Sequence, residues 1–254
     1  MRAARGFGVL VALAATFTLG ASWWRTRNLG AVQRGFTAAQ RRGCFNCHGP
    51  GGLSSFEGPP AIGGVPALGG DLQVRTPSEA EIREWILDGR PARAGGAVEE
   101  AHEDDSLFRM PAFRGVLKAQ ELDDVVAYVK AIGGVEVPAE GPARAGHEAA
   151  SGLGCFHCHG PGGRGDPPNP GSLKGYVPSW SGADFTELAL DETEVRAWIL
   201  DGAPPRLREH PVARFFLTRQ VIRMPAYRGR ISDAEVEAVL AYIRWLRHAG
   251  PASG

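Results

Sequence analysis

Apolar residues recur at helical spacing in two separate stretches of the chain. In the first stretch Ile82, Trp85 and Ile86 share one face of a predicted helix, and the second repeats the spacing with Val195, Trp198 and Ile199. A longer predicted helix follows each, with apolar positions at Leu122, Val125, Tyr128, Val129, Ile132 and at Val236, Val239, Tyr242, Ile243, Leu246. No segment alternates convincingly with the period of two typical of strands. The pattern therefore predicts an all-α fold.

Capping signals predict where two of these helices begin and end. The run Thr76-Pro77-Ser78-Glu79 has the form of a capping box with proline at the first helical position, and Gly89 supplies a stop. Ser232 and Glu235 form a second capping box before the last helix. These signals predict one helix that begins at Pro77, with Thr76 as its N-cap, and another that begins just after Ser232.

The N-terminal segment is apolar enough to cross a membrane. Residues Gly6–Trp24 carry no charge, and a helix of this length covers roughly 28 Å. Arg2 and Arg5 precede the segment, and the pair Trp23-Trp24 closes it as interfacial residues do. A cleavable signal peptide is the alternative, but the apolar run is longer than a usual signal core. Residues 1–27 are therefore predicted to be a transmembrane anchor, with a signal segment as the rival.

The rest of the chain is an internal duplication. Three motifs recur in the same order, namely Gly43–Gly52 as Gly154–Gly163, Trp85–Gly89 as Trp198–Gly202, and Arg109–Gly115 as Arg223–Gly229. Two copies are too few for a solenoid, and each has the size of a small domain. The sequence predicts a first domain at 35–134, a second domain at 146–248, and between them a linker at 135–145 rich in Gly, Pro, Ala and Glu.

Composition and charge narrow the classes of function. The chain has 254 residues, of which 43% are hydrophobic, so a disordered or fibrous protein is excluded. It carries 28 basic and 28 acidic side chains, and this balance argues against a nucleic-acid partner. The acidic run Glu99–Asp105 is interpreted as a hydrated loop. A docking patch for a basic partner is the alternative for that run.

All four cysteines belong to two Cys-x-x-Cys-His motifs, at 44–48 and 155–159. This motif indicates covalent attachment of c-type haem, in which two sulfurs bind the haem vinyl groups and the following imidazole reaches the iron. A thioredoxin-type pair would need a βαβ context, and a zinc ribbon would need its two pairs only about 15–20 residues apart. Disulfides do not explain the histidine that follows each pair. The candidate attachment residues are Cys44, Cys47, His48, Cys155, Cys158 and His159.

A second axial ligand is suggested by the methionines. Apart from Met1 the chain has only Met110 and Met224, each within an Arg-Met-Pro-Ala motif. Filling of the core is the ordinary role of an isolated methionine. Ligation by the thioether also explains why a chain with few methionines has them at matched positions, each before a proline that favours extended backbone. Met110 and Met224 are therefore the predicted sixth ligands.

The remaining histidines are predicted to be surface residues. His157 lies inside the second motif, where His159 already has the ligand position. The others have no counterpart in the other repeat, and these are His102, His147, His210 and His248.

With these motifs the chain resembles two class I cytochrome c domains in tandem, similar to membrane-anchored di-haem cytochromes. The resemblance implies two haem c groups, one on Cys44, Cys47 and His48 with Met110 distal, and one on Cys155, Cys158 and His159 with Met224 distal. It also implies a proline carbonyl that accepts the imidazole proton, which Pro60 fits in the first repeat, whereas the second repeat departs from the pattern at Pro170. Gly35 and Gly146 are expected to allow close contact with the last helix of each repeat near Tyr128 and Tyr242.

The resemblance implies a carrier of single electrons rather than an enzyme. Its haem domains are expected in the periplasm, anchored to the inner membrane, with redox proteins or a larger respiratory or photosynthetic membrane complex as partners and no small-molecule substrate. The chain could equally be a subunit of such a complex, which would transfer electrons by the same chemistry. A di-haem redox enzyme of the peroxidase or thiosulfate dehydrogenase type is the alternative, although a fifth cysteine is missing and both methionines are present.

Overall fold

A computed structural model describes residues 20–21, 23–24, 27–59, 63–69, 78–90 and 108–249. Most of the predicted anchor lies outside these residues. Within the described part of the chain, no helix has both the length and the apolar character needed to cross a membrane.

The first repeat is mostly helical. Its helices are α1 (Ala31–Arg41), α2 (Cys44–His48), α3 (Glu79–Asp88) and α4 (Ala119–Ile132). A short 3-10 turn, Pro50–Gly52, follows α2. The sequence did not predict the two-residue strands β1 (Phe56–Glu57) and β2 (Gly64–Val65), which form a small antiparallel ribbon.

The second repeat has the same four helices in the same order and, among the described residues, three further short helices. Its helices are α5 (Gly141–Gly152), α6 (Cys155–His159), α7 (Phe185–Leu188), α8 (Glu192–Asp201), α9 (Pro205–Glu209), α10 (Pro211–Arg219) and α11 (Asp233–Ala249). The turn Pro161–Gly163 follows α6, as its counterpart follows α2. Helix α5 begins inside the predicted linker, and α1 begins four residues before the predicted domain boundary.

In each repeat the first helix crosses the last one at a glycine. A Cβ atom at Gly35 would lie 1.8 Å from the Asp124 carbonyl oxygen and 2.9 Å from the Tyr128 Cβ. A Cβ atom at Gly146 would lie 1.9 Å from the Ala238 carbonyl oxygen. Only a residue without a side chain permits this approach. The predicted contacts of these glycines near Tyr128 and Tyr242 are confirmed.

Each crossing is the base of a separate apolar core. The buried residues of the first core are Ala38, Ala39, Ile82, Ile86, Val125, Val126 and Val129. Those of the second core include Val195, Ile199, Val236, Val239, Leu240, Tyr242, Ile243 and Leu246. The predicted helical faces therefore supply most of the apolar area whose burial stabilises the fold.

The start of α3 differs from its prediction. The N-cap is Ser78, whose hydroxyl accepts a hydrogen bond from the Glu81 backbone at 3.3 Å, and the helix begins at Glu79. Thr76 and Pro77 lie outside the described residues. The predicted stop at Gly89 is confirmed, because Gly89 has a φ of +74° and its N–H donates to the Trp85 carbonyl.

His147 is not the surface residue that the sequence analysis expected. Its ring lies 5.1 Å from the Phe156 ring and 5.2 Å from the Tyr242 ring, measured between centroids. In the first repeat Phe36 makes the equivalent contacts with Phe45 and Tyr128. His147 therefore replaces an aromatic packing residue, and partial burial lowers the pKa of its imidazole.

Polar contacts join the two repeats and the segment before α1. Arg164 lies 3.0 Å from Glu136, in the segment after α4. Asp166 accepts a 2.8 Å hydrogen bond from the Gly30 backbone, and Asp184 accepts one of 2.6 Å from Asn28. Residues that precede the first repeat in sequence thus pack against the second repeat.

Candidate functional site

A glycine and a single helical turn present each Cys-x-x-Cys-His motif. Gly43 and Gly154 precede the motifs with φ of +80° and +77°, a left-handed conformation that favours glycine. Positions i, i+3 and i+4 share one helix face. Both sulfurs and the imidazole of each motif therefore lie on one side of a short helix, as required to attach a planar group and to ligate its metal from the same turn.

In the first repeat a carbonyl oxygen orients the imidazole. The Nδ1 of His48 lies 2.8 Å from the carbonyl oxygen of Pro66. Since a carbonyl oxygen only accepts hydrogen bonds, Nδ1 carries the proton and Nε2 keeps its lone pair for a metal. The expectation that Pro60 supplies this carbonyl is therefore wrong, and Pro60 itself lies outside the described residues.

The equivalent proline in the second repeat is Pro178. The N–H of Leu68, two residues after Pro66, donates to Gly52 at 2.7 Å, and the N–H of Trp180 donates to Gly163 at 2.8 Å. The two prolines thus occupy the same place in the repeat. Neither the Pro60 nor the Pro170 segment supplies the orienting carbonyl.

His159 is held as a neutral ring. Burial lowers the pKa of its imidazole to about 4, and the nearby Pro178 carbonyl opposes this shift. The buried Nδ1 makes no hydrogen bond of acceptable geometry. A neutral imidazole is the form that binds a metal through nitrogen.

The methionine motif docks on the end of the preceding helix in both repeats. Gly89 has a φ of +74°, and a Cβ there would lie 2.3 Å from the Met110 carbonyl oxygen. Gly202 has a φ of +78°, and a Cβ there would lie 2.8 Å from the Met224 carbonyl oxygen. The repeated Asp-Gly sequence at the end of α3 and α8 is thus what allows the methionine backbone to approach.

Backbone hydrogen bonds fix the same loop. The N–H groups of Phe113 and Arg114 donate to the α3 carbonyls of Ile86 and Leu87, at 3.1 and 3.0 Å. The N–H groups of Tyr227 and Arg228 donate to Ile199 and Leu200 of α8, at the same distances. Met110 and Met224 consequently border the two apolar cores, as do Cys44 and Cys155.

In the second repeat the predicted ligands meet at one cavity. It has a volume of about 230 Å³, and Cys158, His159 and Met224 all line it. Apolar side chains form most of the wall, among them Tyr176, Val177, Pro178, Trp180, Phe185, Leu188, Val195, Trp198, Ile199, Leu207, Phe216, Leu217, Ile222 and Ile243. A largely apolar wall with one imidazole and one thioether fits a flat, hydrophobic metal cofactor.

The alternatives for the cysteines receive no support. None of the four cysteines, all of which lie within the described residues, is joined in a disulfide. Within the described ranges, no group of three or more His, Cys, Asp or Glu side chains is placed to hold a metal ion. In the first repeat, residues 91–107 lie outside the described residues.

Each of the two repeats matches the model of a known protein family. A family model described as "Cytochrome C oxidase, cbb3-type, subunit III" matches residues 30–129, and one described as "Cytochrome c" matches residues 143–247. No curated protein and no solved structure matches the chain.

Proposed function

Because the chain contains two tandem class I cytochrome c domains, we propose that it carries single electrons through two covalently bound haem c groups. Haem c supplies the redox chemistry when bound, since its iron cycles between two oxidation states. The residues proposed to hold it are Cys44, Cys47, His48 and Met110 in the first domain, and Cys155, Cys158, His159 and Met224 in the second.

The observation that carries this proposal is the cavity of the second domain. His159 and Met224 line the same space, together with Cys158. If both His159 and Met224 bind the iron of a haem c, they would leave no position on it open for a substrate, so the function supported best is electron transfer rather than catalysis. The apolar wall keeps water away, and His/Met ligation raises the reduction potential.

Membrane attachment is part of the proposal. The uncharged segment Gly6–Trp24 would anchor the chain to the inner membrane, with both haem domains in the periplasm. Tethering raises the effective concentration of the haem domains near membrane redox complexes. The match of the first domain to a family of cbb3-type oxidase subunits supports the second candidate, in which the chain is a subunit of such a complex.

Spectroelectrochemical titration of the purified protein tests the proposal. We expect two haem c groups per chain that titrate reversibly, and a near-infrared sulfur-to-iron band from each. Met110→Ala should remove the band of the first centre and lower its potential, and Met224→Ala should do so for the second. In each variant the unaltered centre is the internal control.

Two results would contradict the carrier function. One is a centre whose band and potential do not respond to loss of its methionine. The other is a resting protein that binds carbon monoxide or peroxide at one haem, which would support the di-haem enzyme. Copurification of other redox subunits after detergent extraction would identify the chain as part of a complex.

A further inference from the structure

The two domains differ in charge at the same place in the repeat. Between Gly89 and Met110 the first domain has five acidic residues, all in the run Glu99–Asp105, and three arginines, Arg90, Arg93 and Arg109. Between Gly202 and Met224 the second domain has five arginines and a single acidic residue, Glu209. The duplication thus carries opposite charges in the segment that leads to each methionine.

In the second domain this segment forms helices α9 and α10. Their inner side chains line the cavity beside Met224, and these are Leu207, Ala213, Phe216 and Leu217. Their outer side chains are exposed, including Arg208, Val212, Arg214, Phe215 and Arg219. Val212 and Phe215 are 56% and 50% exposed, and they lie among these arginines. We call these five outer residues the arginine surface.

The three arginines of this surface have no carboxylate partner within the described residues. By contrast, Arg206 on the same segment pairs with Glu194 at 2.7 Å. Arg196 and Arg244, elsewhere in the domain, pair with Glu237 and Glu192. These other arginines are therefore ion-paired, whereas, in the described part of the chain, those of the arginine surface are not, although the charge of Arg208 acts on Asp201 at longer range.

The arrangement of the surface suits a protein partner. Val212, Phe215 and Arg219 lie on one face at helical spacing, and the Arg219 guanidinium lies 4.4 Å from the centroid of the Phe215 ring. Arginine and aromatic residues at the centre of a charged patch are typical of protein interfaces. Only the thickness of α10 separates this patch from the haem cavity.

The side of the second-domain site next to His159 is covered by the first domain. The turn Pro161–Gly163, directly after His159, contacts α4 of the first domain. Arg164 then pairs with Glu136. An external partner that reaches the second haem must therefore approach over a different face, and the arginine surface lies on the methionine side.

We infer that the arginine surface docks an acidic electron-transfer protein, which exchanges electrons with the second haem. The inference rests on the proposed carrier function and adds the charge class of the partner and the domain that it meets. Arginines without an ion-pair partner attract a protein that has carboxylates around its own redox centre, and they repel a basic protein.

The test uses two probe proteins that differ in charge but contain the same haem. They are mitochondrial cytochrome c, which is basic, and the same protein with its lysines succinylated, which is acidic. Electron exchange with each probe is followed by stopped flow at several ionic strengths, and binding of the oxidised proteins is measured by calorimetry. The variant is Arg208→Gln/Arg219→Gln, since glutamine keeps the helix propensity. The control, Arg196→Gln/Arg244→Gln, removes the same charge from paired positions of the same domain.

We expect the acidic probe to react faster than the basic one at the second haem, and to lose this advantage as ionic strength rises. The variant should slow the acidic probe about 10-fold at low ionic strength and weaken its binding, and the control should change both by less than about 2-fold. The wild type, the variant and the control should all have the same reduction potentials.

Equal rates and equal binding for the variant and the control would overturn the docking surface. Binding of the surface to phosphatidylglycerol vesicles, lost in the variant while the probe rates stay unchanged, would assign it to lipid instead. Self-association lost in the variant, again with unchanged rates, would assign it to a second copy of the chain. Failure of the carrier function is distinguishable, because the haems would then not titrate reversibly with small mediators in any of the proteins.

Discussion

Arg228 donates two hydrogen bonds to Asp201, with nitrogen–oxygen distances of 2.7 and 2.8 Å. Arg114 makes the same bidentate interaction with Asp88, and both of its nitrogen–oxygen distances are 2.7 Å. Each aspartate ends a helix, and each arginine lies four residues after the methionine. The guanidinium lowers the pKa of its aspartate in both repeats. These pairs are exposed, so we interpret them as fixing the path of the methionine loop rather than as a main source of stability.

Gly202→Ala should displace the methionine loop. A Cβ at this position would lie 2.8 Å from the Met224 carbonyl oxygen, and the left-handed backbone adds a strain of about 1–2 kcal/mol. We expect loss of the near-infrared band of the second haem and a lower potential at that haem alone. Gly229→Ala is the matched control, because Gly229 is also left-handed, with a φ of +74°, but has nothing within 4 Å of the added atom. A normal band in the Gly202 variant would show that the loop tolerates the contact.

Gly146→Ala should destabilise the second domain strongly. The added Cβ would lie 1.9 Å from the Ala238 carbonyl and 2.8 Å from the Tyr242 Cβ, so α5 and α11 must separate. Overpacking at this backbone contact should cost about 3 kcal/mol or more, measured by urea unfolding of the haem-loaded protein. Gly152→Ala, in the same helix with open space around it, should be neutral or stabilising by up to about 1 kcal/mol. Similar stabilities for the two variants would refute the crossing at Gly146.

The helical faces were predictable from periodicity, since the spacing of Tyr128 and Tyr242 places them on the inner face of the last helix. The crossing at Gly35 and Gly146 was expected from the resemblance to class I cytochromes c, and the close approach of the backbones confirms it. Mostly helical structure and the cytochrome c family were likewise confirmed.

Two features escaped prediction for physical reasons. Pro60 and Pro66 both begin a Pro-x-aliphatic-x-Gly pattern within a few residues, and only the hydrogen bond to His48 distinguishes them. Aligning the repeats on the Cys-x-x-Cys-His motifs does not separate them, because Pro60 and Pro66 each lie one residue out of register with a proline of the second repeat, Pro170 and Pro178. The same alignment places His147 at the position of Phe36, so its ring could have been identified as core packing.

Asp166→Asn should change how stability depends on pH. Asp166 is 3% exposed, and burial raises the pKa of its carboxyl to about 6, with the charge of Asp184 acting in the same direction. Hydrogen bonds from the Gly30 and Ser179 backbone, and the charge of Arg34, act against this shift. Because the pKa is higher in the folded chain than in the unfolded chain, the stabilising contribution of Asp166 is fully present below about pH 4. That contribution is lost as the pH rises through about 6.

The wild type should therefore gain about 1 kcal/mol relative to the Asp166→Asn variant as the pH falls from 7 to 5. Urea unfolding of both proteins at each pH measures this difference, and groups that titrate equally in the two proteins cancel. A constant difference between pH 7 and pH 5 would mean that the carboxyl is ionised throughout, with its hydrogen bonds outweighing its burial.

Removal of residues 1–22 should release the protein from the membrane without altering the haem domains. The cut is placed before Trp23 because the next residues contact the second domain. Lys174 lies 4.4 Å from the Trp24 ring, and Asn28 and Gly30 donate hydrogen bonds to Asp184 and Asp166.

The truncated chain, exported behind a cleavable signal, should be found in the soluble periplasmic fraction. The full chain should require detergent for release. Both should carry two haems with the same potentials, since the contacts at Trp24, Asn28 and Gly30 are kept. A second truncation that also removes 23–30 should lower the free energy of unfolding, because Lys174 and Asp184 lose partners at a buried site. A full chain that is soluble and whose mature N-terminus lies near Ala21 would instead identify the segment as a cleaved signal peptide.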